Sequence, residues 1–91
     1  MTIDQMKEKA RERLGKELWE RHWRRLEYEN IGPNDGDNRE FRFEKYLRAY
    51  IRTVALMDAY AELDLVTYEE SNAMRYRTLE EANKAYAKKE D

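Results

Sequence analysis

Apolar residues recur three and four positions apart along most of the chain, which is the spacing of amphipathic helices. The most apolar stretch covers residues 40–64. On a helix at about 100° per residue, its uncharged arc spans roughly 200°, twice the width of an ordinary amphipathic face. We therefore expect this helix to be the central element, covered by both other helices or by a second chain. Its apolar face comprises Phe43, Leu47, Tyr50, Ile51, Val54, Met57 and Ala61.

Capping residues and turn formers set the boundaries of the helices. Three pairs have the spacing of a capping box: Thr2 and Gln5, Asp37 and Glu40, and Thr67 and Glu70. They predict helices over about 3–30, 39–64 and 68–87. The first helix is expected to bend near Gly15 or to cross its partner steeply, because its apolar face shifts after that residue. Residues 30–38, NIGPNDGDN, predict the one longer loop.

The fold predicted from these elements is all-α. No stretch shows the alternation of a strand, so we expect one domain of three antiparallel helices, two long and a shorter third, with no β-sheet. Charged residues make up 42% of the chain, yet the net charge is only −2. Interspersed charges of both signs favour helix surfaces with many ion pairs over a uniformly basic groove.

Several classes of protein are disfavoured by composition. The chain has no cysteine, which excludes disulfides and thiolate metal sites. No apolar run approaches the roughly 18 residues of a membrane span. The N-terminus lacks the apolar core of a signal peptide. We therefore expect a cytoplasmic protein without membrane association.

Candidate catalytic residues are few. His22 is the only histidine; it is either a general base or metal ligand, or a half-buried ring that hydrogen-bonds a neighbour, and we favour the second interpretation. The loop at residues 34–37 suggests calcium, but the glutamate that an EF-hand needs at its twelfth position is missing. Ser71 has no histidine nearby in the sequence, and no phosphate-binding glycine loop is present. We predict no enzymatic activity, no catalytic or metal-ligating residues and no cofactor.

Asp58 is a charged residue within the apolar sector of the second helix. A carboxylate in that position requires a partner, because burying an unpaired charge is costly. The partner is either an arginine of the same chain, Arg21 or Arg25, or an arginine of another protein. We favour the intramolecular pair.

Two segments are candidates for binding a partner. The main face of the third helix carries tyrosines and asparagines with a single leucine, a composition that favours an interface over a dry core. In the first helix, Trp19 is expected in the core, whereas Trp23 lies farther round and is flanked by arginines. The predicted partner-binding residues are Trp23, Arg24, Tyr68, Asn72, Tyr76, Leu79, Asn83 and Tyr86.

The leading hypothesis is a non-enzymatic protein-binding module that acts through helix surfaces, as a homo-oligomer or an adaptor. Its size and charge also suit a small accessory protein of a phage or mobile element, for example an inhibitor of a host defence nuclease; this step is analogy. The alternative is a nucleic-acid-binding helical protein that uses arginines gathered on one side of helices 1 and 2. A third class is a small-ligand site in an oligomer cleft lined by tyrosine and arginine.

Overall fold

Short polar side chains set where two of the helices begin. Thr2 Oγ1 accepts a hydrogen bond from the backbone N–H of Gln5 at 3.1 Å, and Gln5 Oε1 accepts one from the N–H of Thr2 at 2.9 Å, so the first predicted capping box is confirmed. Thr67 Oγ1 accepts from the N–H of Glu70 at 3.1 Å at the start of the third helix. The Glu70 carboxylate binds Arg11 across the structure at 3.0 Å.

The computed structural model describes residues 1–31 and 38–90, and three helices account for nearly all of them: α1 (Ile3–Glu29), α2 (Arg39–Glu62) and α3 (Tyr68–Glu90). Within these ranges there is no strand, so the all-α prediction is confirmed. α1 runs without interruption through Gly15, while α2 ends earlier and α3 ends later than predicted. The capping box predicted at Asp37 and the calcium interpretation of residues 34–37 fall outside the described residues.

α1 is the helix against which both others pack. α2 and α3 lie on different sides of it and touch each other only sparingly. α1 and α3 run in the same direction, with α2 antiparallel to both, and the molecule measures 50 × 26 × 22 Å. The expectation that the second helix would be central was wrong, because α1 uses two of its sides for packing and α2 uses only one.

The core is small and follows the middle of α1. Leu14 and Leu18 are fully buried there, and Met74 of α3 and Val66 of the α2–α3 connection pack with them. Partly buried side chains extend this cluster: Leu56, Met57, Tyr60 and Leu65. Among the described residues, four that are buried are polar: His22, Thr53, Ser71 and Thr78. A chain of this length with so few buried large side chains depends strongly on each of them.

α2 ends in a Schellman motif, whose hydrogen bonds hold the reversal into α3. The N–H of Leu65 donates to the carbonyl of Tyr60 at 2.9 Å, and the N–H of Asp64 donates to the carbonyl of Ala61 at 3.2 Å. The motif needs one residue in the left-handed region, and Asp64 occupies it with φ of 57°. Glycine is the usual residue there because a Cβ is strained in this conformation. The turn into α3 is therefore made at a conformational cost.

We expect Asp64→Gly to raise the free energy of unfolding by up to about 1 kcal/mol, because glycine adopts the left-handed conformation without strain. Urea unfolding followed by far-UV circular dichroism measures the change. Glu62→Gly is the matched control: it places glycine in the last helical turn and should lower stability by about 0.5–1 kcal/mol. If both glycine variants lower stability equally, the strain assigned to Asp64 is contradicted.

Candidate binding surface

α2 exposes a row of large apolar side chains that the fold does not cover. We call the row the α2 stripe; its members are Phe43, Leu47, Tyr50, Ile51 and Val54. All five are exposed, Ile51 the most at 58%. On a helix they fall within a sector of roughly 100°, so they form one surface. Monomeric proteins rarely expose a large contiguous apolar patch. Where such a patch occurs, it commonly marks an interaction site.

The side of α2 that packs on α1 combines small residues with the partly buried Leu56, Met57 and Tyr60. Ala49 and Thr53 have no exposed surface, and their small side chains let the two helices approach closely. The α2 stripe lies on a different side of the helix and touches α1 only along one edge, where Phe43 meets Tyr28 and Tyr50 meets Arg21. Of the two alternatives for the wide apolar arc, coverage by both neighbouring helices was wrong, whereas coverage by another chain stays a prediction.

Asp58 interrupts the apolar sector, and its partner lies within the chain. The hydroxyl of Tyr68 at the start of α3 donates to Asp58 Oδ1 at 3.0 Å. This hydrogen bond to the carboxylate raises the pKa of Tyr68. The preference for an intramolecular partner was therefore right, but the predicted arginines, Arg21 and Arg25, were the wrong residues. The pair links α2 to α3 near the turn and is exposed to solvent.

Arg21 of α1 lies beside the α2 stripe, and two further arginines, Arg25 of α1 and Arg75 of α3, are close to it. Arg21 of α1 donates to Thr53 Oγ1 at 2.9 Å, and its guanidinium carbon lies 4.6 Å from the centre of the Tyr50 ring. Partial burial lowers the pKa of Arg21, Tyr46 and Tyr50 raise it, and Arg75 and Arg25 lower it further. Arginine nevertheless stays protonated, so this edge of the stripe carries concentrated positive charge.

His22 lies behind these arginines and is buried. Its Nε2 is 3.2 Å from the carbonyl oxygen of Arg75 in α3; because a carbonyl only accepts hydrogen bonds, Nε2 carries the hydrogen. Burial lowers the pKa of His22 to about 4, and Arg21 and Arg25 add to the effect. The ring is therefore neutral near pH 7 and joins α1 to α3, as in the hydrogen-bonding interpretation that the sequence favoured.

Trp23 and Arg24 are engaged within the chain. Trp23 stacks on Trp19 with ring centroids 5.0 Å apart and meets the Tyr86 ring edge-on at 5.2 Å. Arg24 pairs with carboxylates of its own helix, Glu27 at 2.9 Å and Glu20 at 3.6 Å. Both tryptophans are half-buried, so the expectation that Trp19 lies in the core was wrong. The contact between Trp23 and Tyr86 joins the C-terminal part of α3 to α1.

The predicted face of α3 is mostly exposed. Its exposed members are Tyr68, Asn72, Tyr76 and Asn83, whereas Leu79 and Tyr86 are half-buried. Tyr76 is 62% exposed, and the guanidinium of Arg75 lies 5.1 Å from the centre of its ring. A different side of α3 packs on α1, through Ser71, Met74, Thr78 and Ala82. The tyrosine face is thus part of the outer surface and not of the core.

The α2 stripe and Arg75 are the surface residues that sequence reasoning missed. The five stripe residues were assigned to the buried side of the second helix because their spacing is that of a core-facing stripe. The signal that could have separated the two sides was residue size: Ala49 and Thr53, which permit close helix packing, share one side. Nothing in the sequence around Arg75 indicates that this residue of α3 lies close enough to Arg21 of α1 to lower its pKa.

The rest of the surface carries few features of a catalytic or metal site. Over residues 1–31 and 38–90, no group of three or more histidine, cysteine, aspartate or glutamate side chains is arranged to hold a metal ion. In the same part of the chain, none of the helices combines the length and hydropathy needed to cross a bilayer. A shallow hollow of about 280 Å³ between α1 and the start of α2 is lined by Arg24, Glu27, Asn38, Phe41, Arg42 and Lys45.

Comparison of the chain with models of protein families, with curated proteins and with solved structures found no match. The functional interpretation therefore depends on the geometry of the surface alone.

We expect the stability of the fold to fall as the pH drops from 6.5 towards 4. In that window His22 takes up a proton in the unfolded chain but not in the folded one, since folding lowers its pKa from 6.5 to about 4. The loss attributable to His22 should be about 2–3 kcal/mol. Urea unfolding at a series of pH values measures it.

His22→Gln is the control, because the glutamine amide keeps a donor for the Arg75 carbonyl and does not titrate. The variant should lose clearly less stability than the natural chain over the upper half of this window. Parallel curves for the two proteins would contradict the assigned role of His22.

Proposed function

We propose that this chain is a non-enzymatic protein-binding module that binds an amphipathic helix of a partner protein along the α2 stripe. The observation that carries the proposal is the exposure of five large apolar side chains in one sector of a helix that packs against α1 mainly through another side. Burying such side chains at an interface supplies about 1.5–3 kcal/mol for each one that is fully covered, before the costs of association.

The spacing of the α2 stripe supports a helical partner. Its members recur at intervals of three and four residues between positions 43 and 54, which is the pattern of a helix–helix seam. The stripe is roughly 16 Å long at 1.5 Å per residue. A partner helix of three turns would cover it.

The exposed tyrosines of α3 provide a second contact area. Tyr68 is 53% exposed and is oriented by its hydrogen bond to Asp58, while Tyr76 is more exposed still. Tyrosine is favoured in interfaces because it offers a large contact area with a polar tip. The proposal therefore keeps Tyr68, Asn72, Tyr76 and Asn83 as partner-binding residues and adds the α2 stripe to them.

The alternative of nucleic-acid binding draws less support from the arrangement of the arginines. Arg11 pairs with Glu70 towards α3, whereas Arg52 reaches Glu17 at 3.1 Å on the α2 side of α1. Because Arg11 and Arg52 point to different sides and meet carboxylates, these two do not belong to one phosphate-binding surface. The nuclease-inhibitor role suggested by size and charge would be one particular case of binding a partner protein through this surface.

The proposal is tested by binding of a fluorescently labelled synthetic peptide of about 18 residues, with leucine at helical spacing and glutamine elsewhere, to the full chain. We expect fluorescence anisotropy to show saturable binding, weakened at least about ten-fold by Ile51→Glu, because that substitution places a charge within the α2 stripe. Phe41→Glu is the matched control: Phe41 is 57% exposed on the same helix but outside the stripe.

Both variants replace exposed residues, so each should change the free energy of unfolding by less than about 0.5 kcal/mol. Equal weakening by Ile51→Glu and Phe41→Glu would contradict binding along the α2 stripe. Absence of peptide binding together with a monomeric chain at high concentration would overturn the proposal.

A further inference from the structure

We infer that the partner helix carries carboxylate side chains along one edge, and that these pair with Arg21, Arg25 and Arg75 beside the α2 stripe. The inference rests on the proposed function and adds the charge of the partner to it. Arg21 and Arg25 come from α1 and Arg75 from α3, so the folded arrangement alone brings them together.

Among the described residues, these three arginines have few carboxylates close to them. Within the described residues, neither Arg21 nor Arg75 forms an ion pair with any aspartate or glutamate. Arg25 Nε is 3.8 Å from Glu29 Oε1, beyond hydrogen-bonding distance, and is buried without a hydrogen-bond partner. Arg11, by contrast, meets its carboxylate partner at 3.0 Å. Within the part of the chain that the structure describes, the charges of Arg21 and Arg75 thus have no carboxylate partner, and that of Arg25 has only the long contact with Glu29.

The arginines are placed where a bound helix would present one of its edges. The Arg21 guanidinium lies over the ring of Tyr50, a member of the α2 stripe, and the Arg75 guanidinium lies over exposed Tyr76. A helix whose apolar side covers the stripe therefore places an adjacent side near Arg21. Arg75 is kept close to Arg21 because its carbonyl accepts a hydrogen bond from His22, the next residue of α1. Glutamate or aspartate there completes charge-assisted, bidentate hydrogen bonds with the planar guanidinium groups.

A phosphate backbone fits this surface less well than an acidic helix. Nucleic acid would leave the five apolar side chains of the stripe without an apolar partner. It would also meet repulsion from acidic residues: Glu40, Glu44, Asp58 and Glu62 lie along the far edge of the same sector when α2 is projected on a helical wheel.

A second copy of the chain in antiparallel orientation is also a poorer fit by charge. In an antiparallel two-fold pair of α2 helices the same edge of each stripe faces its own copy, so arginines would meet arginines. Like charges placed together in this way oppose association. An acidic helix of another protein satisfies both the stripe and the arginines.

The experiment compares three labelled peptides of about 18 residues that share leucines at helical spacing and differ along one edge, which is glutamate, glutamine or lysine. We expect the glutamate peptide to bind the full chain at least about ten-fold more tightly than the glutamine peptide, and the lysine peptide to bind most weakly. The advantage of glutamate should shrink between about 50 and 200 mM salt.

Substitution of the arginines identifies the site. Arg75→Gln should remove most of the advantage of glutamate over glutamine without changing binding of the glutamine peptide. Arg77→Gln is the control, since Arg77 is exposed on a different side of α3 and removes the same charge. Circular dichroism verifies that both variants keep the fold.

The outcomes separate this inference from the proposed function. Equal affinity for all three peptides, with sensitivity to Ile51→Glu, overturns the acidic edge and leaves the helix-binding module standing. Self-association in sedimentation that Ile51→Glu abolishes assigns the stripe to a second copy and overturns the inference. Binding of a DNA duplex of about 20 base pairs that is unaffected by Ile51→Glu and falls steeply with salt overturns both. If no peptide binds and the chain is monomeric, both are also overturned.

Discussion

The burial of Leu14 and Leu18 between two helices that barely touch each other is the interaction on which the rest of the structure depends. Both side chains are fully buried, and they lie where α1 meets α2 on one side and α3 on the other. In a bundle whose helices all contact one another, each helix loses most of its apolar side to the core. In this structure only α1 loses most of its apolar side to the core. α2 and α3 therefore keep surfaces that are free to bind.

Polar contacts add to the apolar contacts of Leu56, Met57 and Tyr60 in holding α2 on α1. Arg21 donates to Thr53, Arg52 pairs with Glu17, and Arg42 donates to the carbonyl of Glu27 at 2.9 Å. Each such contact contributes modestly, but they flank a close approach made possible by small side chains. The side chains of the stripe therefore keep much of their surface exposed, which makes them available as the proposed site of binding.

The elements of the fold could be predicted from the sequence, while their arrangement could not. The helix starts at Thr2 and Thr67 could be predicted because capping is a local interaction between residues three positions apart. The apolar width of the second helix was correctly recognised, yet its role was not, since hydrophobic periodicity does not distinguish a core from an interface. Asp58 shows the same limit. Its position on the helix predicts that it needs a partner, but the identity of that partner, Tyr68, depends on the geometry of the turn at Asp64.

The central claim is that the α2 stripe is exposed in the free chain while α1 carries the core. NMR of methyl-labelled protein with a soluble paramagnetic agent tests it most directly, because relaxation of each methyl reports its distance from solvent. We expect strong relaxation of the Leu47, Ile51 and Val54 methyls and little effect on those of Leu14 and Leu18. Protection of both groups to the same degree in the monomeric chain would contradict the account.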